Sequence, residues 1–145
     1  MKKVVVASDH AGLAGRDAAL ETVQSLDMEA IDVGPRNADS VDYPDFAHRV
    51  ASMVQSGEAD FGVLICGTGQ GMAMSANRHP NVRAAVITDE LTASMARQHN
   101  DANVACFGER VIGVEAIRKL LALFLESQFE GDRHARRVGK IELES

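Results

Sequence analysis

The sequence is poor in the features that mark several protein classes. Its 145 residues include only two cysteines, Cys66 and Cys106. That is too few for a disulfide framework, and no CxxC pair is present to signal a redox motif or a zinc knuckle. Such cysteine usage fits a reducing cytosol. No apolar run is long enough to cross a bilayer. The N-terminal run Val4-Val5-Val6-Ala7 is broken at once by Asp9 and His10, so it reads as a first strand rather than a signal-peptide core. Repeats, low-complexity segments and linkers are lacking as well, and one domain over residues 1–145 is expected. Positive charge is scarce: the net charge of −6 argues against a general nucleic-acid binder. The exception is local. Arg133, Arg136, Arg137 and Lys140 fall in a stretch without acids, which points to a small anionic ligand rather than a polyanion.

What is present alternates between two periodicities. Lys3–Ser8, Met28–Val33, Phe61–Ile65, Val82–Ile87 and Val104–Phe107 are short apolar runs, each read as a buried strand. Between them lie helical patterns at Leu13–Leu26, from Asp42 or Tyr43 to Gly57, at Gly71–Arg78 and at Glu90–Gln98. A long amphipathic helix follows over Gly113–Phe129. Leu13, Ala14, Ala18, Leu20, Val23 and Leu26 form the expected inner face of the first helix. Phe46, Val50, Met53 and Val54 form that of the second. Parallel neighbours require crossover connections, so the alternation predicts an α/β fold. The expected architecture is a single-domain, Rossmann-like three-layer sandwich around a five-stranded parallel sheet. Ligands in such folds bind beyond the carboxyl ends of the strands. Asp9-His10, Cys66–Gly71, Thr88-Asp89 and Gly108-Glu109-Arg110 are therefore expected along one rim.

Four constellations carry possible chemistry. Gly67, Gly69 and Gly71 follow a strand and lead into a helix, as an anion cradle of backbone N–H groups would; the plainer alternative is a tight turn. The run fits neither GxGxxG, whose third glycine would fall at Met72, nor a Walker loop. Cys66 heads this run, where a stabilised thiolate could act as base or nucleophile; Cys106, inside a strand, reads as inert. Asp9-His10 closes the first strand. Its continuation to Gly15 is a GxGxxG with histidine for the first glycine, and Asp32 stands where a ribose carboxylate would. A nucleotide-binding regulatory module is thus the competing reading. In Gln98–Asn103, His99 could move protons and Asn100 could hold a hydroxyl, although a helix end with asparagine turn chemistry explains the segment equally. Arg133 and Arg137, four apart, could clamp a phosphate or form a solvated basic tail.

Together these pieces resemble the ribose-5-phosphate isomerase type B family and its galactose-6-phosphate isomerase relatives. The resemblance rests on Ser8–Gly12, Asp42-Tyr43-Pro44, Cys66–Gly71, Arg97–Asp101, Phe107–Arg110 and Gly131–His134. These stretches run in order through nearly the whole chain. The resemblance implies an aldose–ketose isomerase that interconverts ribose 5-phosphate and ribulose 5-phosphate through a cis-enediolate, with isomerases of six- or four-carbon aldose phosphates as alternatives. It further implies Cys66 as the proton-shuttling base and Gly67, Thr68, Gly69, Gln70 and Gly71 as the loop around the enediolate oxygens, Thr68 taking part in catalysis. His99 matches the acid/base that opens the sugar ring, with Asp9 assisting, and Asn100 matches a substrate contact. His10, Arg110, Arg133 and Arg137 match the groups around the phosphate and neighbouring hydroxyls. Some relatives replace the cysteine by a glutamate a few residues on. Here Met74 and Ser75 occupy that region, so the cysteine type applies. Neither a cofactor nor a metal is implied, and the His and acid spacing matches no zinc pattern. The implied partners are a small sugar phosphate and a second copy of the chain, as a homodimer or tetramer with shared sites reached by the C-terminal helix, in the cytoplasm. Nucleic acid and membrane are not among them.

Overall fold

The computed structural model describes residues 1–37 and 39–143. Five strands form one sheet: β1 (Lys3–Ser8), β2 (Glu29–Asp32), β3 (Phe61–Cys66), β4 (Ala84–Val86) and β5 (Val104–Gly108). Their order across the sheet is β2-β1-β3-β5-β4, and every pairing is parallel. The helices are α1 (Leu13–Ser25), α2 (Tyr43–Ser56), α3 (Gln70–Ala76), α4 (Glu90–Gln98), α5 (Glu109–Ile112), α6 (Val114–Glu126) and α7 (Arg133–Val138).

Alternation of side chains along each strand builds two cores. Val4 and Val6 of β1 face one side, where Val63, Ile65, Ala105 and Phe107 join residues of α1, α4 and α6. Val5 and Ala7 face the other, where Leu64, Cys66, Val104 and Cys106 meet α2 and α3. Both faces are covered, which is why the strands read as unbroken apolar runs. The three-layer α/β expectation is therefore met.

Several boundaries differ from the sequence reading. The strand expected over 82–87 pairs only at Ala84–Val86, because Val82 turns back to the carbonyl of His79. The helix after the glycine loop starts at Gln70 and stops at Ala76. The long helix stops at Glu126, where Ser127 leaves the helical region at ψ 151°. The short helix α5 is not among the expected elements, whereas α7 covers the Arg133–Arg137 stretch, expected either on one helix face or in a solvated basic tail. In α1, Gly15, Ala19 and Thr22 join Ala18 and Val23 in the buried face, while Leu20 and Leu26 only border the core. Ala47 and Ala51 take the central places in α2, with Phe46 and Met53 at its margin. Small residues win these positions because the helices lie close on the sheet. The expected polar loop from Asn37 to Asp42 includes Ala38, which lies outside the described residues.

Candidate active site

The carboxyl rim of the sheet gathers the first group of residues. The register places Ser8 beside Ile65 and Cys66 beside Gly108, so the ends of β1, β3 and β5 lie side by side. Asp9 continues from β1; its N–H donates to the Ile65 carbonyl at 3.0 Å, and its carboxylate accepts from the Ala11 N–H at 2.8 Å. Asp9 is buried and His10 is exposed. The His10 Nδ1 accepts from the Val41 N–H at 3.2 Å, tying β1's exit to the loop before α2.

Cys66 ends β3 almost buried, and its Sγ accepts from the Gly69 N–H at 3.1 Å. That contact needs the loop to fold back sharply, and Gly69 supplies the left-handed φ of 83°. The loop then lies on β5: a Cβ on Gly69 would stand 3.1 Å from the Phe107 carbonyl carbon. Thr68 is exposed, and its Oγ1 accepts from the Gln70 N–H at 3.3 Å. Gly69 and Gln70 thus direct their N–H groups at protein atoms rather than outward. Arg110, in α5, closes the loop from the β5 side. Its N–H donates to the Gly67 carbonyl, and its guanidinium lies 3.3 Å from where a Gly67 Cβ would be.

Two neighbours of this group were not singled out as site residues. The Tyr43 ring lies against Gly71, so closely that a Cβ there would stand 2.3 Å from the ring. Glu109 reaches across to accept from the Gly15 N–H at 2.6 Å, which joins the start of α1 to the end of β5. Tyr43 stood within a motif, and a glycine opposite an aromatic gives no signal in one dimension. Thr88 and Asp89, expected on the same rim, serve the fold. Asp89 caps α4 through the Thr92 N–H at 2.7 Å, and that bond with the Thr92 hydroxyl holds its carboxyl below the usual range.

His99, Asn100, Arg133 and Arg137 lie elsewhere. Residues 99–103 lead into β5 at its amino end, where the Asn103 carbonyl accepts from the Gly62 N–H. Cys66 pairs with the far end of the same strand at Gly108. Four strand steps of ~3.3 Å put roughly 13 Å between the two rims, far beyond hydrogen-bond reach. Around His99 the chain folds tightly. The Glu130 N–H donates to the Gln98 carbonyl, and the His134 ring stacks on that of His99 with centroids 4.2 Å apart. Burial of His134 holds its pKa below 6.5, with His99, Arg133 and Arg137 adding to the shift and Glu130 opposing it. Arg133 and Arg137 both lie in α7, exposed and one turn apart. Asn100 borders a cavity of about 660 Å³ shared with His79, Arg83 and Ile141.

Other expectations find their places. Cys106 is fully buried, and its burial, with Cys66 nearby, pushes its thiol far up, so it stays protonated and inert. Asp32 is engaged by protein groups: it accepts from the Gly34 N–H at 2.9 Å and lies 3.8 and 3.6 Å from Arg16 and Arg36. Gly12 and Gly15 pack directly on Ile65 and Ile117. Helix–sheet contact thus accounts for the glycines that suggested a nucleotide loop. Among the described residues no helix is long and apolar enough to cross a membrane.

Comparison with known proteins places the chain as a whole. The sequence profile of the Ribose/Galactose Isomerase family matches residues 4–141. Ribose-5-phosphate isomerase B of Escherichia coli is 40% identical over 141 residues, covering 97% of this chain and 95% of that protein. The structure of the type B ribose 5-phosphate isomerase of Trypanosoma brucei superposes with a TM-score of 0.94 at 44% identity, covering 97% of each chain. That of ribose-5-phosphate isomerase B from Mycoplasma genitalium with bound ribulose-5-phosphate gives 0.92 at 42% identity, covering 96% of this chain and 93% of that one.

Proposed function

The chain belongs to the ribose/galactose isomerase family, and from that membership we propose that it interconverts ribose 5-phosphate and ribulose 5-phosphate with Cys66 as the base. The relatives named for this reaction, one of them holding ribulose-5-phosphate, support the substrate and the aldose–ketose chemistry. The observation that carries the base is the Cys66 Sγ, at the carboxyl rim and hydrogen-bonded to the Gly69 N–H. A sulfur held by a backbone donor is fixed in place at the rim, and a positioned base is what removal of a proton from C2 or C1 requires.

In this reading Cys66 carries the proton between C2 and C1 of the open-chain sugar. The Gly67–Gly71 loop, with Thr68, borders the enediolate oxygens; the Gly69 and Gln70 N–H groups are already given to Cys66 and Thr68, and a remaining donor aimed at the oxygens is worth about 3–4 kcal/mol. Asp9, His10 and Arg110 border the same opening. His99 opens the ring and Asn100 holds a hydroxyl, while Arg133 and Arg137 bind the phosphate as a bidentate pair. The roughly 13 Å between the rims keeps these four from joining Cys66 within one chain. Each site is therefore assembled from two copies in a homodimer, Cys66 from one and the His99 group from the other.

Replacing Cys66 by Ala tests the base. The kcat should fall by roughly 10²–10⁴-fold, the usual weight of a positioned acid or base, with KM little changed. Near wild-type turnover would remove Cys66 from the mechanism.

A further inference from the structure

His99 and Asn100 stand on a turn that one carboxylate ties down from both sides. Helix α4 carries its winding past His99. The Asp101 N–H donates to the Arg97 carbonyl at 3.2 Å, and the Ala102 N–H turns back to the Ala96 carbonyl at 2.8 Å. To make this turn Asp101 takes a left-handed φ of 47°, which aspartate tolerates better than most residues with a side chain. Its carboxylate then lies between two arginines. Oδ1 accepts from the Arg97 Nη1 at 2.7 Å, and Oδ2 accepts from the Arg83 Nη2 at 3.4 Å.

Both arginines are built into the scaffold. The Arg97 side chain is 11% exposed, its Nε is buried without a partner, and its guanidinium lies over the Phe61 ring of β3 at 5.0 Å. Its Nη1 also donates to the Ala102 carbonyl at 2.9 Å. Arg83 approaches from the segment before β4. Its Nε donates to the Asp101 carbonyl at 2.8 Å, and its own N–H donates to Oδ1 of Asn103 at 2.7 Å. Charge-assisted bonds of this kind are stronger than neutral ones. Asp101 therefore joins β3, the end of α4 and the approach to β4, with half-buried His99 and exposed Asn100 at the tip between them. Without the carboxylate, two guanidinium groups would share one place with no counter-charge, and their repulsion would open the turn.

We propose that Asp101 is a positioning residue, whose carboxylate, shared by Arg97 and Arg83, fixes the turn that presents His99 and Asn100 to the sugar. It touches no reacting atom. The hold on His99 stands on the geometry of the turn; its effect on turnover rests on the assignment of His99 and Asn100 to the substrate.

Two variants test it. Asp101→Gly accepts the left-handed φ and removes both ties, whereas Asp101→Asn keeps the shape and one acceptor. The kcat should fall roughly 10²-fold in Asp101→Gly, as for a misplacement of about 1 Å, and less in Asp101→Asn. The stacking of His99 on His134 gives a readout independent of activity. The NMR signal of the His99 Hε1, assigned by its loss in His99→Ala, should move in Asp101→Gly toward its position in His134→Gln, where the second ring is gone. An unmoved signal in folded Asp101→Gly overturns the proposal. Co-refolding supplies a second readout. Asp101→Gly chains should regain activity when mixed with Cys66→Ala chains, because one site of each mixed dimer then has both sets intact. Mixed with His99→Ala chains they should stay inactive, and the reverse pattern overturns the proposal too. If His99→Ala alone keeps full turnover, the ring-opening role fails instead, while the His99 signal still decides whether Asp101 holds the ring in place.

Discussion

At the scale of single residues, environment separates chemically equal groups. Cys66 and Cys106 are both buried thiols on the same face of the sheet, yet only Cys66 meets a backbone donor at the strand end. Cys106 is sealed in the middle of β5 and stays protonated. The histidines divide in a similar way. His79 and His134 are both held below the ordinary value of 6.5, desolvation being the largest cause in each. The sign for stability follows from linkage. Above pH 6.5 both rings are neutral in the folded and unfolded chain and contribute nothing. Below it the unfolded chain binds protons that the folded chain resists, so stability falls as the pH drops from about 6.5 toward the lower folded values. Urea unfolding at pH 7.5, 6.5 and 5.5 should show this decline. His134→Gln should flatten part of it, and an equal slope in that variant would show that His134 titrates normally. Few of these distinctions were legible in sequence. The advantage of Cys66 over Cys106 was, because a strand end followed by glycines differs from a strand middle. The pairing of His134 with His99 was not, since 35 positions separate them and only the fold stacks their rings.

Elements were read best where their periodicity was long. The inner face of α6, with Ile117, Leu120, Leu121, Phe124 and Leu125, is the face expected from apolar spacing, and all five are buried. Thirteen residues repeat the pattern often enough to fix its phase. Helix α5 has only four residues and α7 six, too few turns for any period to show. Helix α1 erred in another way. Its close approach to β3 favours glycine and alanine, which carry little hydrophobic signal, so the larger Leu20 drew attention from outside the core. The strength of α6 gives a direct test. Phe124 is fully buried, and its ring meets that of Phe61 edge-on at 6.1 Å. Phe124→Ala should cost about 3–5 kcal/mol, from lost burial and the cavity left behind. Denaturant unfolding measures it. A loss under 1 kcal/mol would mean that the α4, α6 and β5 layer collapses around the gap and is softer than its packing indicates.

For the whole molecule, topology decides which residues can meet. In a parallel sheet with helical crossovers, the residues leaving strands and those entering them occupy opposite rims. Cys66 leaves β3, whereas His99 and Asn100 approach β5. The alternation of elements thus implies the separation seen in the structure, even though the motifs read one after another suggest a single cleft. The cavity of about 660 Å³ beside Asn100 belongs to the entering rim, so a large opening alone does not mark the place of the chemistry. In the proposed homodimer, a twofold contact that sets the leaving rim of one copy against the entering rim of its partner would do so twice over. Complementation follows from that symmetry. Cys66→Ala and His99→Ala should each be nearly inactive alone. After unfolding and co-refolding at equal amounts, half of the dimers are mixed. A mixed dimer has one site with both substitutions and one with neither. About a quarter of wild-type activity should therefore return. If the whole catalytic set acted within one chain, every copy in the mixture would remain defective and refolding would restore nothing. Sedimentation of the mixture must show a dimer or a larger even assembly for the recovered activity to have this origin, and a monomer with full activity would end the shared-site reading.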